Sequence, residues 1–366
     1  MSDDEVYTFN KILYHLDRLD KLKNGKPIMP LMIELHLEAY CNDNCDFCGF
    51  REENGTNLEM LKLINGESSE ENKPIGRPSD KSKIPFDVVM SLPKIMKENN
   101  IPACIMSGGG EPTIYPKFDE ILDEFITNGI EIGLITNGSG LNEIRIDKIV
   151  KNCTWIRISM DSADAETHKK IHRTPNSDFE RRLKLLNMLI EKKKEYGTDI
   201  VIGVSYIITN DNYGAIDKAV ELYKDVDSLR FSFANDMGGI EANNVVQEQS
   251  IAKVKKYQET DPNISLSVIT QSDCVDMNDF DKCHIQHFNW VIGADAILYP
   301  CCVMAYHPNF AMADLRKVNL NDIVNNKIVH DQMFNLDPKG CMPCWLRSKN
   351  KAIDNIYKEP LHKNFY

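Results

Sequence analysis
Between residues 31 and 233, segments with a two-residue hydrophobic period alternate with segments of 3.6-residue period, and this alternation narrows the possible folds more than any other feature of the chain. Leu31, Ile33, Leu35 and Leu37 interleave with Met32, Glu34, His36 and Glu38, the pattern of a strand. Further strands are expected at 103–107, 131–136, 154–160, 200–208 and 228–233, with helices near 86–98, 117–128, 141–150, 178–196 and 214–224. Ser177, three residues ahead of Glu180, offers the long helix a capping box. Right-handed crossovers put such a series into a parallel sheet. Six βα units are too few for a closed eight-stranded barrel, so the expectation is an α/β fold, a partial (β/α)6 barrel with functional groups on the loops at the C-terminal strand ends. An amphipathic helix with Ile12, Leu13, Leu16, Leu19 and Leu22 on one face precedes the first strand and stops at Gly25 and Pro27.

At 366 residues the chain has room for two domains. The expected division is an N-terminal helical extension at 1–30, the barrel at 31–240 and a cysteine-rich unit at 241–366, where the rhythm is lost. A polar stretch at 51–84 interrupts the barrel, as a lid or as a solvated loop. A net charge of −12 and the absence of a basic stripe argue against nucleic acid or an anionic membrane as partner. No apolar run reaches eighteen residues, and Met1-Ser2-Asp3-Asp4-Glu5 lacks the basic start of a signal peptide, so a cytoplasmic location is expected.

In such a reducing compartment the eleven cysteines are expected as thiols available to metal. Cys41, Cys45 and Cys48 fall within eight residues, just beyond the first strand. Three thiolates from one loop can hold three corners of an iron–sulfur cubane and leave the fourth iron open. Zinc is the competing ligand, although it usually draws on a second CxxC-like turn or a nearby His, and the next His is His168. Cys104 and Cys153 sit alone in apolar stretches and read as buried thiols.

The spacing CxxxCxφC after a first strand resembles the signature of the radical SAM superfamily. Ser107-Gly108-Gly109-Gly110-Glu111-Pro112-Thr113, after the second strand, resembles that family's GGE motif, which implies that Gly109, Gly110 and Glu111 hold the amino group of S-adenosylmethionine (SAM). Phe47 resembles the aromatic position whose backbone meets the adenine. Asn137, in Thr136-Asn137-Gly138, matches the third-strand turn, or is a plain turn residue. Ser159 and Asp161 resemble the polar pair near the ribose, or cap a helix. Arg173 resembles the arginine that pairs with the methionine carboxylate, or is a surface residue; Val204 is an adenine-packing candidate or core. The resemblance covers about 31–235. It implies a SAM-binding [4Fe–4S] cluster, reductive cleavage of SAM, a 5′-deoxyadenosyl radical that abstracts hydrogen from substrate, and an electron donor such as flavodoxin or ferredoxin.

Farther along, Gly293-Ala294-Asp295 starts what reads as a hairpin delivering Cys301, and Cys341-Met-Pro-Cys344 adds a CxxC turn. With Cys283 these resemble the twitch form of the SPASM extension, which implies an auxiliary [4Fe–4S] cluster held by Cys283, Cys301, Cys341 and Cys344. The same four thiolates would suit structural zinc. Cys274 and Cys302 are spare thiols that could exchange with a ligand; His284, His287 and His307 touch substrate or are merely packed. A fully ligated auxiliary cluster suits electron transfer, so the expected reaction is a two-electron oxidation of a small polar molecule, sugar- or aminocyclitol-like. Peptide or protein modification is the alternative, for which the thirty residues ahead of the first strand are too few to form a leader-binding domain. A non-catalytic, zinc-stabilised binding module is a reading from another class.

Overall fold
The computed structural model describes residues 9–48, 50, 82–233, 244–267, 280–338, 344 and 346–358. Cys274, Cys341 and nearly all of the polar insertion lie outside the described residues. A 3-10 turn at Phe9–His15 leads into α1 (Leu16–Lys23). Strands β1 (Met32–His36), β2 (Ala103–Ser107), β3 (Glu131–Thr136), β4 (Trp155–Ser159), β5 (Val201–Ile208) and β6 (Ser228–Phe233) occupy the segments whose alternation marks them. Each pairs in parallel with the next. Between them run α2 (Phe86–Glu98), α3 (Phe118–Thr127), α4 (Glu143–Asn152), α5 (Ala165–His172), α6 (Ser177–Tyr196) and α7 (Ile216–Leu222).

The βα rhythm does not stop at residue 240. A further helix, α8 (Asn244–Gln258), and strand β7 (Ile264–Ser267) continue it, with β7 parallel to β6. β8 (Asn289–Ile292) then returns to pair in parallel with the free side of β1, and β9 (Ile297–Tyr299) and β10 (Ala313–Asp314) extend that edge in antiparallel fashion. The turn between β8 and β9 is the hairpin expected ahead of Cys301. Among the described residues one ten-stranded sheet results, ordered β10-β9-β8-β1-β2-β3-β4-β5-β6-β7, its two edge strands not paired with each other, which is a partial barrel.

Strand alternation gives this sheet two chemically different faces. Ile33, Leu35, Met106, Ile132, Leu134, Ile156, Ile158, Ile202, Val204, Leu229 and Phe231 share one buried cluster with helix residues such as Leu92, Phe118, Phe125, Ile149 and Leu189. Val204 is therefore core. Side chains of this kind contribute about 1.5–3 kcal/mol each when fully buried. Register puts the alternate residues on the other face: Glu34 beside Ile105, His36 beside Ser107, Arg157 beside Gly203, and Ser205 beside Arg230. That face is polar.

The termini close around it. Arg18 donates from Nη1 to the carbonyls of Met29 and Pro30 at 2.7 Å and from Nη2 to Asn100 O at 2.6 Å, tying α1 to the approach to β1 and β2. Helices α9 (Leu320–Val324) and α10 (Lys327–Phe334) add Leu320, Ile323 and Met333 to the main core. The last helix, α11 (Arg347–Tyr357), buries Ile353 with Leu19 and Leu22, and the Tyr357 hydroxyl donates to Leu19 O at 3.0 Å.

The expected capping box is not formed. The helix begins at Ser177, after an Asn176 that is already helical at φ −55°, ψ −36°, and no side chain caps it. Asp178 in its first turn is drawn to arginines instead.

Candidate active site
The loop leaving β1 is seated on the end of α5. Asn44 N and Asp46 N donate to the carbonyls of His172 and Ile171 at 3.0 and 3.1 Å, so the cysteine loop satisfies acceptors that a helix C-terminus leaves open. Arg173 takes the left-handed conformation at the C-cap, φ 54°, and its guanidinium pairs with Asp46. Cys41, Cys45 and Cys48 are half-buried on this loop. Burial, with the nearby Asp43 carboxylate, pushes the Cys41 thiol up to about 12. A metal bound there would have to displace that proton.

Behind the thiols lies an ionic network. Asp43 Oδ2 accepts from Arg182 Nη2 at 2.6 Å and stands 3.1 Å from His172 Nδ1. That same Nδ1 lies 3.1 Å from Cys45 Sγ, and His172 Nε2 lies 3.2 Å from Asp161 Oδ2. Burial opposes charge on His172, but Cys45, Asp161 and Asp43 overcome it and hold the imidazole well above its usual range, as a cation. Arg182, fully buried, also donates from Nε to Asp178 Oδ2 at 2.7 Å and from Nη1 to Ser159 O at 3.0 Å. Asp43, Cys45 and His172 place their ligand atoms within 4.8 Å of one another, a spacing that would also admit a metal ion. The Arg182 guanidinium already neutralises Asp43, and a second cation beside it would be repelled.

The glycine loop after β2 closes from the other side. A Cβ on Gly110 would stand 2.2 Å from Tyr40 O, and Glu111 N donates to that carbonyl at 3.0 Å, so only glycine lets the two loops touch. Gly108, at φ +133°, lies over the His36 ring, and Gly109 faces Phe50. The Glu111 carboxylate is 2% exposed. Its Oε1 accepts from Thr113 N at 2.9 Å, from Thr136 Oγ1 at 2.5 Å and from the Thr113 hydroxyl, while among the described residues Oε2 accepts only from Asn137 N at 2.7 Å. With one donor against three on Oε1, Oε2 keeps a lone pair for a further donor. Burial raises this carboxyl despite its four donors. Asn137 does more than turn the chain: Nδ2 donates to Asn42 Oδ1 at 3.1 Å and reaches Cys41 Sγ at 3.7 Å.

The remaining expected residues fall in two places. Phe47 stands edge-on to His172, with centroids 6.2 Å apart, and Ser159 ends β4 on the polar face. Asp161 is 1% exposed and accepts from Ile207 N at 2.6 Å, so it braces β5 as well as His172. Neither Ser159 nor Asp161 caps α5; Asp164 does, accepting from Thr167 N at 2.9 Å.

At the other end of the polar face, the half-buried Cys301, Cys302 and Cys344 pack against Val303 and Met304. Burial, then Cys302, Cys283 and Cys344 in that order, pushes the Cys301 thiol well up, which draws these sulfurs into one electrostatic neighbourhood. Cys341 lies outside the described residues. Cys104 and Cys153 are buried thiols, as expected. Three histidines have packing roles: His284 meets Asp354 at 2.9 Å, His307 accepts from Asn309 N, and His287 lies 4.7 Å from the Phe334 ring.

Missed entirely by sequence reading was a chain of polar contacts on the inner face. Ser107 Oγ donates to Glu34 Oε1 at 2.8 Å, His36 Nε2 is 3.2 Å from the same oxygen, and His36 Nδ1 is 2.8 Å from the Tyr306 hydroxyl. Burial works against the charge on Glu34, but its bond to His36 and the imidazole's field hold the carboxyl below its usual range. The β1 alternation placed Glu34 and His36 on one face; Tyr306, 270 residues on, had no such signal.

Fold and site together define a parallel-sheet partial barrel whose first strand delivers three thiols against a Gly-Gly-Gly-Glu loop. Residues 39–223 match the family described as the Radical SAM superfamily. The chain belongs to that superfamily, whose members are enzymes that use a [4Fe–4S] cluster and SAM. Among curated proteins it is similar to an S-adenosylmethionine-dependent nucleotide dehydratase of Flammeovirga pacifica, 28% identical over 199 residues, covering 53% of this chain and 59% of that protein. It is also similar to the AdoMet-dependent heme synthase of Methanosarcina barkeri, 27% identical over 204 residues, covering 55% and 49%. The chain thus spans about half of the length of the curated relatives it matches. Streptococcus suis SuiB, solved bound to S-adenosylmethionine, shares the fold with a TM-score of 0.61 at 16% identity, over 88% of this chain and 72% of that one. No helix among the described residues is long and apolar enough to cross a membrane.

Proposed function
We propose that this protein reductively cleaves SAM and directs the radical so formed to a C–H bond of a small polar substrate, in a two-electron oxidation. One observation carries the reading: the Cys41, Cys45 and Cys48 loop is braced against the Glu111 loop through Gly110, so a site for iron and a site for an ammonium share one wall. The donor set fits a [4Fe–4S] cluster with one open corner. When bound, that cluster and SAM supply a 5′-deoxyadenosyl radical.

The chain's own groups bind, orient and shield. The lone pair of Glu111 Oε2 and the carbonyls of Gly109 and Gly110 would hold the SAM ammonium, with Thr113 and Thr136 fixing the carboxylate. The Phe47 backbone and Ser159 would meet the adenosyl half. Asp161 and Arg173 act through the loop they hold, by way of His172 and Asp46. The polar inner face, with Glu34, His36, Ser107, Ser205 and Arg230, offers hydrogen bonds to a polar substrate, while the loops exclude water. Cys283, Cys301, Cys341 and Cys344 would hold an auxiliary [4Fe–4S] cluster, suited to accept the substrate's second electron.

Anaerobically reconstituted protein, reduced with dithionite, should release methionine and 5′-deoxyadenosine, and the Cys41→Ala/Cys45→Ala/Cys48→Ala variant should release neither. Retained cleavage in that variant would refute the assignment. Cys301→Ala/Cys344→Ala should halve the iron; zinc at that site, with iron unchanged, removes the oxidative half of the proposal.

A further inference from the structure
We propose that Glu34 is the catalytic proton acceptor: an alcohol seated on the inner face loses its hydroxyl proton to Glu34 Oε2, while Ser107, His36 and Tyr306 position the carboxylate. The inference rests on the function proposed above and supplies the residue that completes its oxidative half, with an alcohol as the substrate class.

Glu34 and His36 are two residues apart on β1 and so share its inner face. Ser107 stands beside His36 in register but reaches back to Glu34, so both donors, Ser107 Oγ at 2.8 Å and His36 Nε2 at 3.2 Å, go to Oε1. Among the described residues Oε2 accepts no hydrogen bond, although it has lone pairs to fill. Exposure is divided in the same way. The His36 side chain is 1% exposed and that of Glu34 19%, so the carboxylate is where this chain of contacts meets the inside of the barrel. With Nε2 donating to a carboxylate, the neutral ring accepts at Nδ1, and the Tyr306 hydroxyl stands 2.8 Å away to donate. Ala294 N in turn donates to the Tyr306 oxygen at 3.1 Å. Tyr306 reaches this place at φ +65°, a left-handed conformation that a bulky residue rarely adopts. A Cβ at Gly108 would stand 2.7 Å from the His36 ring, and one at Gly293 2.8 Å from the Tyr306 ring. The backbone therefore departs from the ordinary around both rings, as it does where a geometry is held for use.

The constellation begins directly under the glycine loop. Gly108 lies over the His36 ring, and Phe50 stands edge-on to both His36 and Tyr306 with centroids 6.0 Å apart. Glu34 is about 6–7 Å farther along the strand, at roughly 3.3 Å per residue. On its other side it pairs with Val291 of β8, which shares a cluster with Tyr306 and Cys302. A molecule seated against Glu34 thus has the glycine loop at one end and the second group of cysteines beside it. The step balances. A C–H hydrogen leaves as an atom to the 5′-deoxyadenosyl radical, and the O–H bond on the same carbon then breaks. Its proton forms an O–H bond with Glu34 Oε2, the remaining electron goes to the oxidised auxiliary [4Fe–4S] cluster, and the carbon–oxygen bond becomes a carbonyl. Burial opposes charge on Glu34, but the bond from His36 keeps the carboxyl below its usual range, so it is ionised at neutral pH. A base that weak suffices, because a hydroxyl on a carbon losing an electron becomes a protonated carbonyl, a far stronger acid than a carboxylic acid. What the step needs is a negative charge already in position. Once product leaves, Glu34 returns the proton to water.

The test uses the reconstituted holoenzyme, reduced in the presence of SAM and of myo-inositol deuterated at every ring carbon. Deuterium in 5′-deoxyadenosine counts hydrogen abstraction, and the ring ketone counts completed oxidation. In wild type the two should match. Glu34→Gln keeps the shape and should retain iron and deuterium transfer, while ketone formed per deuterium transferred falls by about a hundredfold or more. Formate added to Glu34→Ala should restore part of that yield. His36→Leu removes the donor and keeps the site dry, so the acid limb of the yield should move to higher pH; His36→Gln should move it back, and Tyr306→Phe should shift it as His36→Leu does, by less. Infrared difference spectra against Glu34→Gln should show the Glu34 carboxylate protonating over the same ranges. The other titratable groups in its field are the Cys104 and Cys302 thiols, which burial keeps protonated throughout. Ketone and deuterium transfer falling together, an unchanged yield in Glu34→Gln, no rescue by formate, or wild type that cleaves SAM without forming ketone would each overturn the inference and leave the radical function standing. No SAM cleavage by wild type would defeat the proposed function, and the inference with it.

Discussion

Replacing Arg182 with Met tests whether the buried ionic network exists to hold the cysteine loop. The guanidinium has no exposed surface and joins Asp43, inside the cysteine loop, to Asp178 on its own helix and to Ser159 O on β4. Methionine fills a similar volume but leaves the buried Asp43 and the partly exposed Asp178 each short of a partner. Removing one member of a buried pair costs about 3–5 kcal/mol. Asp178 keeps Arg181 and His168, and Asp43 keeps His172, which places the expected loss near the lower end, about 3 kcal/mol. For 366 residues, at roughly 1.3 °C per kcal/mol, this lowers Tm by about 4 °C. Acid sensitivity should grow with it. Burial pushes the Asp43 carboxyl up, but His172 and Arg182 outweigh it, so the folded pKa lies below the ordinary value. Its contribution is thus whole above the unfolded pKa and lost as pH falls through the folded one. Without Arg182 that loss begins at higher pH. Adding Asp43→Asn to the variant removes the stranded charge and should recover about 1–2 kcal/mol, a coupling typical of residues in contact. The assays are urea unfolding at several pH values and iron content after anaerobic reconstitution, with iron retention expected to fall in the single variant at temperatures where it is still folded. A loss below about 0.5 kcal/mol, within the range of surface substitutions, would refute the energetic reasoning. A full loss of stability with full retention of iron would refute the link from network to loop.

Two further outcomes follow from local geometry. Gly110→Ala sets a Cβ against the backbone oxygens of Tyr40 and Glu38, at 2.2 and 2.5 Å, so it should cost about 1–3 kcal/mol and abolish SAM binding in equilibrium dialysis. Gly25→Ala, at φ +66° with nothing within 4 Å, should cost about 1 kcal/mol and leave SAM binding intact; equal effects on binding would sink the close-approach argument. His287 is held neutral, its pKa lowered to about 3 by burial first and then by His284 and His330. The unfolded chain takes up that proton near pH 6.5 and the folded one only near 3, so stability should drain away between those values as pH falls. His287→Leu should flatten the stability curve from pH 6.5 to 4, and a curve as steep as wild type would exclude His287 as the cause.

What could be read in advance, and what could not, divides along sequence separation. Strands at 103–107, 131–136 and 228–233 stand where their alternation puts them, because a two-residue period with one buried face has few other ways to be satisfied. Helix α5 was invisible for a related reason: its buried residues are His168, Ile171 and His172, and two histidines read as polar even when they form the inward face. The next unit, α8 and β7, hid behind a helix in which Val246 and Val254 are the apolar residues that reach the core. The thiols and the glycine loop were legible because each is one short segment carrying its own chemistry. The network behind them is not of that kind. His172 and Arg182 lie 129 and 139 residues from Asp43, and nothing local to any of the three says that they meet. The same holds for β8. Its pattern marks a strand, but its place beside β1 depends on β1 having a free edge, and that edge brings Tyr306 to His36 and the second group of cysteines to the inner face. A polar face on β1 was therefore visible from the start as Glu34 and His36, while the groups that turn this face into a site come from the far end of the chain and are joined to it only by the sheet.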